Sequence, residues 1–332
     1  MMKQFRYCNI KITALFGWLL LSNVCLAQQS GIYSLWTMDD AIINPAASGN
    51  QQSLMANGIF RGQWERLSNN PFQQLVQAHA PVWSINSGVG IMIMNESLGQ
   101  EQNTGGYVQY AYHLELTSNL KISLGAQAGV IQKSLNGSLL ITPEGIYNGQ
   151  VGIDHKDLIL VNNNTRATVV DLGTGIIVKG KKWTAGVALG GLPRKSWQLN
   201  KDNGLSIVHA PSVIAHVSYF IPIDDDFSIK VSALGRKEES QQQLETSVIF
   251  DWQDLMFVGI GSRGYNNNTI DALIWQLGYR LNEQFVLRFA YDQTLSKLSR
   301  VQLGSFEIGL AANLFGLKFR KKIPPIIYNT RY

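Results

Sequence analysis

From Asn267 to Leu314 the chain alternates between two kinds of side chain. Leu273, Trp275, Leu277 and Tyr279 take turns with Ile274, Gln276, Gly278 and Arg280. Phe285, Leu287, Phe289 and Tyr291 do the same with Val286, Arg288, Ala290 and Asp292, and Phe306, Ile308, Leu310, Ala312 and Leu314 with Glu307, Gly309, Ala311 and Asn313. A period of two places successive side chains on opposite faces of a strand. One face of these three strands is therefore apolar and aromatic, and the other carries arginine, glutamine, carboxylates and glycine. Two folds use such a pattern. A soluble sheet lays the apolar face on a core, whereas a membrane barrel turns it to lipid and keeps the polar face in a wet lumen.

The remaining strands separate the two. Strand-like runs recur at 54–64, 71–82, 86–96, 104–116, 119–133, 167–179, 182–191, 211–222, 226–237, 241–251, 254–263, 268–281, 284–295 and 303–314. Their number, fourteen, is even, as a barrel with both ends on one side requires. The connections sort by parity. One set is short: 83–85, 117–118, 180–181, 223–225, 252–253 and 282–283. The other is longer: 65–70, 97–103, 134–166, 192–210, 238–240, 264–267 and 296–302, with 238–240 the poor fit. Short periplasmic turns opposite long loops form the outer-membrane pattern. A sandwich has no reason to sort its loops this way.

Charges follow the same register. A lipid-facing charge at the bilayer midplane costs about 2–4 kcal/mol. The alternation sends Arg61, Lys121, Lys230, Arg236, Arg280 and Arg288 inward with His113, Glu115, Glu245, Asp251, Asp292 and Glu307. These mixed signs predict cross-strand ion pairs that fill the lumen, with His113 and Glu115 as a polar pair on one strand. Trp64, Trp83, Trp183, Trp252, Trp275, Tyr279 and Tyr291 lie toward strand ends and suit interfacial aromatic girdles.

The two ends frame the barrel. Lys3, Arg6 and Lys11 precede the apolar run Ile12 to Leu21 and a small-residue exit at Cys25-Leu26-Ala27. That order reads as a signal peptide over 1–27. A lipoprotein site at Cys25 is disfavoured by Ser22-Asn23-Val24, and the run is short for a membrane anchor. Both cysteines fall in this leader, which removes disulfide and cysteine–metal chemistry from the mature chain. Three of the 28 basic residues and none of the 23 acidic ones precede residue 28, leaving 25 against 23, a net +2. No broad basic field points to nucleic acid. Residues 28–53 hold the turn-rich Asn44-Pro45-Ala46-Ala47-Ser48-Gly49 and read as a periplasmic lead-in or plug. Lys318, Arg320, Lys321, Lys322 and Arg331 form a basic tail over 315–332.

No catalytic, cofactor or metal constellation stands out. The five histidines are scattered without metal-ligand spacing. Gly88-Val89-Gly90 is a strand pattern, not a phosphate loop. Glu144, Asp154 and Asp157 match no EF-hand. The expectation is an all-β, transmembrane outer-membrane antiparallel β-barrel of about 14 strands over 54–314, not an enzyme.

Several segments, in this order, resemble one family. Ile43-Asn44-Pro45-Ala46-Ala47-Ser48-Gly49 looks like its N-terminal signature and Arg61-Gly62-Gln63-Trp64 like its first strand. Gln77-Ala78-His79-Ala80-Pro81, Gly88-Val89-Gly90 and Tyr110-Ala111-Tyr112-His113-Leu114 are similar to the strands that follow. Ser305-Phe306-Glu307-Ile308-Gly309-Leu310 resembles the last strand and Tyr328-Asn329-Thr330-Arg331-Tyr332 the tail. The family is the PorP/SprF membrane proteins of the type IX secretion system and gliding motility. Residues 134–210 depart from its pattern.

The resemblance implies an outer-membrane barrel that supports secretion or surface attachment of an adhesin with a type IX sorting domain. It also implies periplasmic secretion-ring components and peptidoglycan-associated proteins as partners, beside outer-membrane lipid. Gly137 and Pro143 in the loop 134–166, with Gly191, Pro193 and Arg194 around 192–210, are the candidates for gripping the adhesin. Asn44, Pro45, Lys318, Arg320, Lys321, Lys322 and Arg331 are the candidates for periplasmic partners. The rival from another class is a passive pore or transporter for a small solute.

Overall fold

The structure is a computed structural model that describes residues 33–314 apart from positions 52, 68, 148–152, 158, 161, 200–203, 240 and 266–268. The expected leader 1–27, the residues 28–32 and the basic tail 315–332 lie outside the described residues. The strands are β1 (Leu54–Gly62), β2 (Phe72–Val82), β3 (Ser87–Leu98), β4 (Glu101–Thr117), β5 (Leu120–Asn136), β6 (Asn164–Lys179), β7 (Trp183–Leu192), β8 (Lys195–Gln198) and β9 (Ser206–His209). They continue with β10 (Ser212–Pro222), β11 (Phe227–Glu238), β12 (Gln241–Trp252), β13 (Met256–Tyr265), β14 (Thr269–Arg280), β15 (Phe285–Thr294) and β16 (Ser305–Leu314). All but β8 and β9 close into one antiparallel barrel, in which β7 pairs with β10 and β1 seals against β16. Each of the expected barrel strands is present. Among the described residues no helix is long and apolar enough to cross a membrane; the wall crosses with strands.

Three expectations about the connections change. The expected loop 97–103 is a tight turn at Gly99-Gln100, because Gly99 adopts φ +62° and lets β3 and β4 run into each other. The expected loop 134–166 is shorter, since β5 and β6 extend to Asn136 and from Asn164 and stay in register there. The loop after β7 holds a two-stranded sheet, β8 with β9, that the sequence reading lacked. The rim carrying 83–86, 118–119, 180–182, 223–226, 253–255 and 281–284 is called the turn rim below, and the opposite one the loop rim.

Alternation sets the two faces. Outward positions include Val231, Val248 and Ile260, register neighbours on β11, β12 and β13, all exposed. Among the described residues the outward face carries a charged side chain only at Arg166, Lys237 and Asp271, each near a strand's loop-rim end. Trp183, Trp252, Trp275, Tyr279 and Tyr291 are outward and exposed, whereas Trp64 and Trp83 sit in connections. Val248→Arg is expected to cost about 2–4 kcal/mol, because it places a cation in the apolar band. Urea unfolding from lipid vesicles reads this, and a loss below roughly 1 kcal/mol would argue against a lipid-facing Val248.

Candidate functional site

The lumen is occupied by the chain's own N-terminal segment. Residues 33–50 run through it as three short 3-10 turns: Ser34–Met38, Asp40–Ile42 and Pro45–Ala47. Their sequence explains the shape. Asp39 and Asn44 each accept a hydrogen bond from the backbone N–H two residues on, Ala41 and Ala46, which starts the next turn; Pro45 pre-sets the first residue of the last one. Small residues then let the segment lie on the wall. A Cβ at Gly125 would sit 2.2 Å from the Ala46 nitrogen, and one at Gly88 2.0 Å from the Ser48 oxygen. Both are inward positions, so these strands leave room for a backbone where other strands carry a side chain.

Deeper toward the loop rim, five charged side chains from five strands meet the plug. Arg61 on β1 contacts Asp292 on β15 at 2.7 Å and also pairs with Glu307 on β16. Arg263 on β13 bonds Glu245 on β12 at 2.7 Å and Asp292 at 2.7 Å. All are buried. Two guanidinium groups face three carboxylates, and the plug supplies donors for the excess charge. Glu307 accepts from the backbone N–H groups of Ser34 and Leu35 at 2.6 and 2.9 Å, one on each oxygen. Trp36 donates its indole N–H to Glu245 at 2.7 Å. The Ser34 hydroxyl donates to Asp292 at 2.6 Å and accepts from Arg263 at 2.7 Å. Charge-assisted bonds of this kind are the strong ones, and they tie the plug to the wall.

A second anchor lies nearer the turn rim. Gly49 donates its backbone N–H to His79 Nδ1 at 3.0 Å, which leaves the Nε2 proton for Asp39 at 2.8 Å. Asn57 donates to the same Asp39 oxygen at 2.7 Å. Burial by itself would raise the Asp39 carboxyl, but the bonds from His79, Ala41 and Asn57 outweigh it and hold the group below its ordinary value. A carboxyl lowered on folding stabilises the folded state above its unfolded value, about 3.9, and that contribution is lost as pH falls through the lower folded value. Asp39→Asn is therefore expected to be less stable than the parent between about pH 5 and 8, with the gap closing below about pH 4. Melting curves of both barrels across that range check it; a gap that widens toward acid refutes it.

The structure places every lumen-facing candidate at an inward position, but the pairing differs from the expected cross-strand mesh. Of the expected cations, Arg61 pairs with two expected carboxylates, Asp292 and Glu307. The partner of Glu245 is Arg263, which the sequence reading missed; extending the inward series Phe257, Gly259, Gly261 by one step reaches it. Lys230 donates to the Thr37 carbonyl at 2.8 Å and Lys121 to the Asn50 side chain at 3.0 Å, so the plug takes their bonds. Arg236 meets Glu238 on its own strand at 2.9 Å, and Arg288 stacks 5.1 Å from the Phe257 ring centre. Arg280 donates to the Asp254 carbonyl, and Asp251 accepts from the Asp254 N–H, both at the turn rim. His113 does not pair with Glu115: it bonds Ser123 at 2.8 Å and the Ser48 carbonyl at 3.0 Å, while Glu115 is exposed at the rim.

The partner-facing candidates divide. Asn44 and Pro45 are buried inside the barrel, and Asn44 spends its amide on the Ile176 and Val187 carbonyls at 3.2 Å each; neither presents a surface to a partner. Gly137 is buried in the turn that ends β5, and Gly191 is buried with φ +76° at the end of β7. Pro143, Pro193 and Arg194 are exposed, with Arg194 reaching Glu239 at 2.8 Å across the loop rim. Lys318, Arg320, Lys321, Lys322 and Arg331 lie outside the described residues. The β8–β9 sheet also folds inward. Trp197 on β8 is 2% exposed and packs in one apolar cluster with Tyr33, Leu35, Tyr107 and Ile131, over the plug. The motifs shared with the family converge on this interior: Gln77 donates to the Ala41 carbonyl, and His79, Gly88 and His113 all line residues 44–49 or their flanks.

A comparison with curated proteins finds no match for the chain. Among solved structures it is similar to the CymD monoaromatic hydrocarbon channel (10% identity, TM-score 0.49, covering 86% of this chain and 94% of that one). It is also similar to the Ralstonia pickettii toluene transporter TbuX (10%, 0.48, 82% and 91%) and to a Pseudomonas aeruginosa FadL homologue (12%, 0.46, 82% and 93%). Residues 25–311 match the family described as type IX secretion system membrane protein PorP/SprF. A match over that share of the sequence settles membership: the chain belongs to the PorP/SprF family of type IX secretion system outer-membrane barrels.

Proposed function

We propose that this barrel is not an enzyme but an outer-membrane scaffold of the type IX system, supporting secretion or surface attachment of an adhesin with a type IX sorting domain. One observation carries the reading: residues 33–50 run through the lumen and are bonded to opposite walls by buried charges. A solute pore needs a continuous wet path. A lumen spent on holding its own plug instead favours a rigid platform whose working surfaces are its rims. On this reading the exposed loop residues Pro143, Pro193 and Arg194 face the adhesin. The turn rim, with the basic tail, faces secretion-ring components and peptidoglycan-associated proteins.

The test is a pull-down from detergent-solubilised outer membrane with mass spectrometry, paired with planar-bilayer recording of the purified barrel. We expect a large exported protein or ring components to come with the barrel, and no steady single-channel current. A barrel that purifies alone after crosslinking and conducts steadily would replace this reading with a solute pore.

A further inference from the structure

Among the described residues, the barrel wall has an open seam that runs from the edge of its apolar band toward the loop rim. β6 pairs with β5 along its whole length, from Asn164 opposite Asn136 to Lys179 opposite Lys121. On its other side β6 meets β7 only from Leu172 onward. β7 ends at Leu192 and the chain turns away there, and the β8–β9 sheet that follows forms no ladder with β6. Among the described residues, 164–171 form a ladder with β5 alone. Along eight residues, alternate N–H and C=O groups on the β7 side therefore lack a ladder partner among the described residues. Such an edge is a template for pairing with another strand, and proteins commonly cover, charge or shorten it.

This edge is long, and its surroundings suit a strand from outside. Its outward side chains Arg166, Thr168 and Val170 are exposed. Its inward ones, Ala167 and Val169, rest against the apolar cluster around Trp197, so the strand is held flat. Beside Arg166 and Thr168 the neighbouring outward residues on β5 and β4 are Ser134, Gln132, Gln102 and Thr104, a polar zone, and Val130 opposite Val170 marks its apolar edge. Arg166 makes no ion pair among the described residues. A second copy is a poor occupant. Copies inserted the same way up bring two β6 strands together running in the same vertical sense, whereas this antiparallel sheet is continued by a strand running the other way.

We propose that residues 164–171 of β6 are a strand-addition site for an extended segment of the exported partner, antiparallel to β6, with an acidic residue opposite Arg166 and β-branched residues opposite Thr168 and Val170. Main-chain bonds supply affinity in this mode, and alternate side chains supply selectivity. The inference rests on the scaffold reading above and names where that scaffold grips.

The experiment is hydrogen–deuterium exchange on the full barrel in a lipid nanodisc. The probe is a nine-residue synthetic strand of alternating glutamate, valine and threonine, with a twin carrying N-methyl groups on alternate amides. In the bare barrel, alternate amides of 164–171 are expected to exchange faster than those of 129–136 on β5, which are paired on both sides. The plain peptide is expected to slow them about tenfold and the N-methylated twin to leave them unchanged. Slow exchange already in the bare barrel, no protection by the plain peptide at millimolar concentration, or equal protection by the twin overturns the inference. The pull-down separates the two failures. An exported protein that co-purifies while β6 stays unprotected removes the β6 site alone, and a barrel that purifies alone after crosslinking and conducts steadily removes the scaffold reading.

Discussion

Replacing Arg263 by methionine is expected to destabilise the barrel by about 3–5 kcal/mol, the range for breaking a buried ion pair from one side. The size follows from what is left behind. Arg263 is the guanidinium shared by Glu245 and Asp292, and its side chain is 5% exposed. Without it Arg61 alone faces three buried carboxylates, and Glu245 is left with the neutral Trp36 indole N–H in place of a cation. Glu245→Gln in the same chain removes the orphaned charge and retains an acceptor for Trp36, so the double variant is expected to recover part of the loss. The temperature at which the folded band disappears on unheated denaturing gels ranks parent, single and double variants. A single variant within roughly 0.5 kcal/mol of the parent would mean that the cluster contributes nothing.

The second large effect concerns the plug. Gly88→Ala and Gly125→Ala together are expected to expel residues 44–49 from their seat. The new methyl groups would lie 2.0 Å from the Ser48 oxygen and 2.2 Å from the Ala46 nitrogen. These obstacles are backbone and not the tips of flexible side chains, so neither can rotate away. Overpacking of this kind costs about 1–3 kcal/mol per site, enough to shift a segment held by a handful of bonds. The ladder of the wall is untouched, so the barrel is expected to remain folded while the plug becomes sensitive to added protease and the lumen begins to conduct. A variant that keeps a protease-resistant plug and the parent's conductance would show that the wall yields instead. The two variants probe different things, since loss of Arg263 weakens wall and plug together and the glycine changes act on the plug alone.

Much of this is legible in the sequence alone. Alternation over Phe285–Tyr291 or Leu120–Val130 reports which face meets lipid, because a strand has only two faces and lipid tolerates few charges. The ends of β4 and β5 were less legible. Polar outward residues such as Gln102, Thr104 and Gln132 break the apolar rhythm while the ladder runs on above the apolar band. The β8–β9 sheet escaped because two strands of four residues each, in a loop, leave little periodic signal.

What the sequence determined by itself is the wall: its strand number, the orientation of its faces and the confinement of charge to the lumen, all of which follow from local period and the cost of placing charge in lipid. Only the tertiary structure decided what fills that wall. Ser34 and Glu307 bond at a separation of 273 residues, and Arg263 meets Glu245 and Asp292 because barrel closure brings β12, β13 and β15 around one plug. Inward polarity is a property of single residues and can be read along the chain. The choice of partner for each inward group depends on which strands and which plug atoms lie within hydrogen-bonding distance, and no local pattern carries that distance.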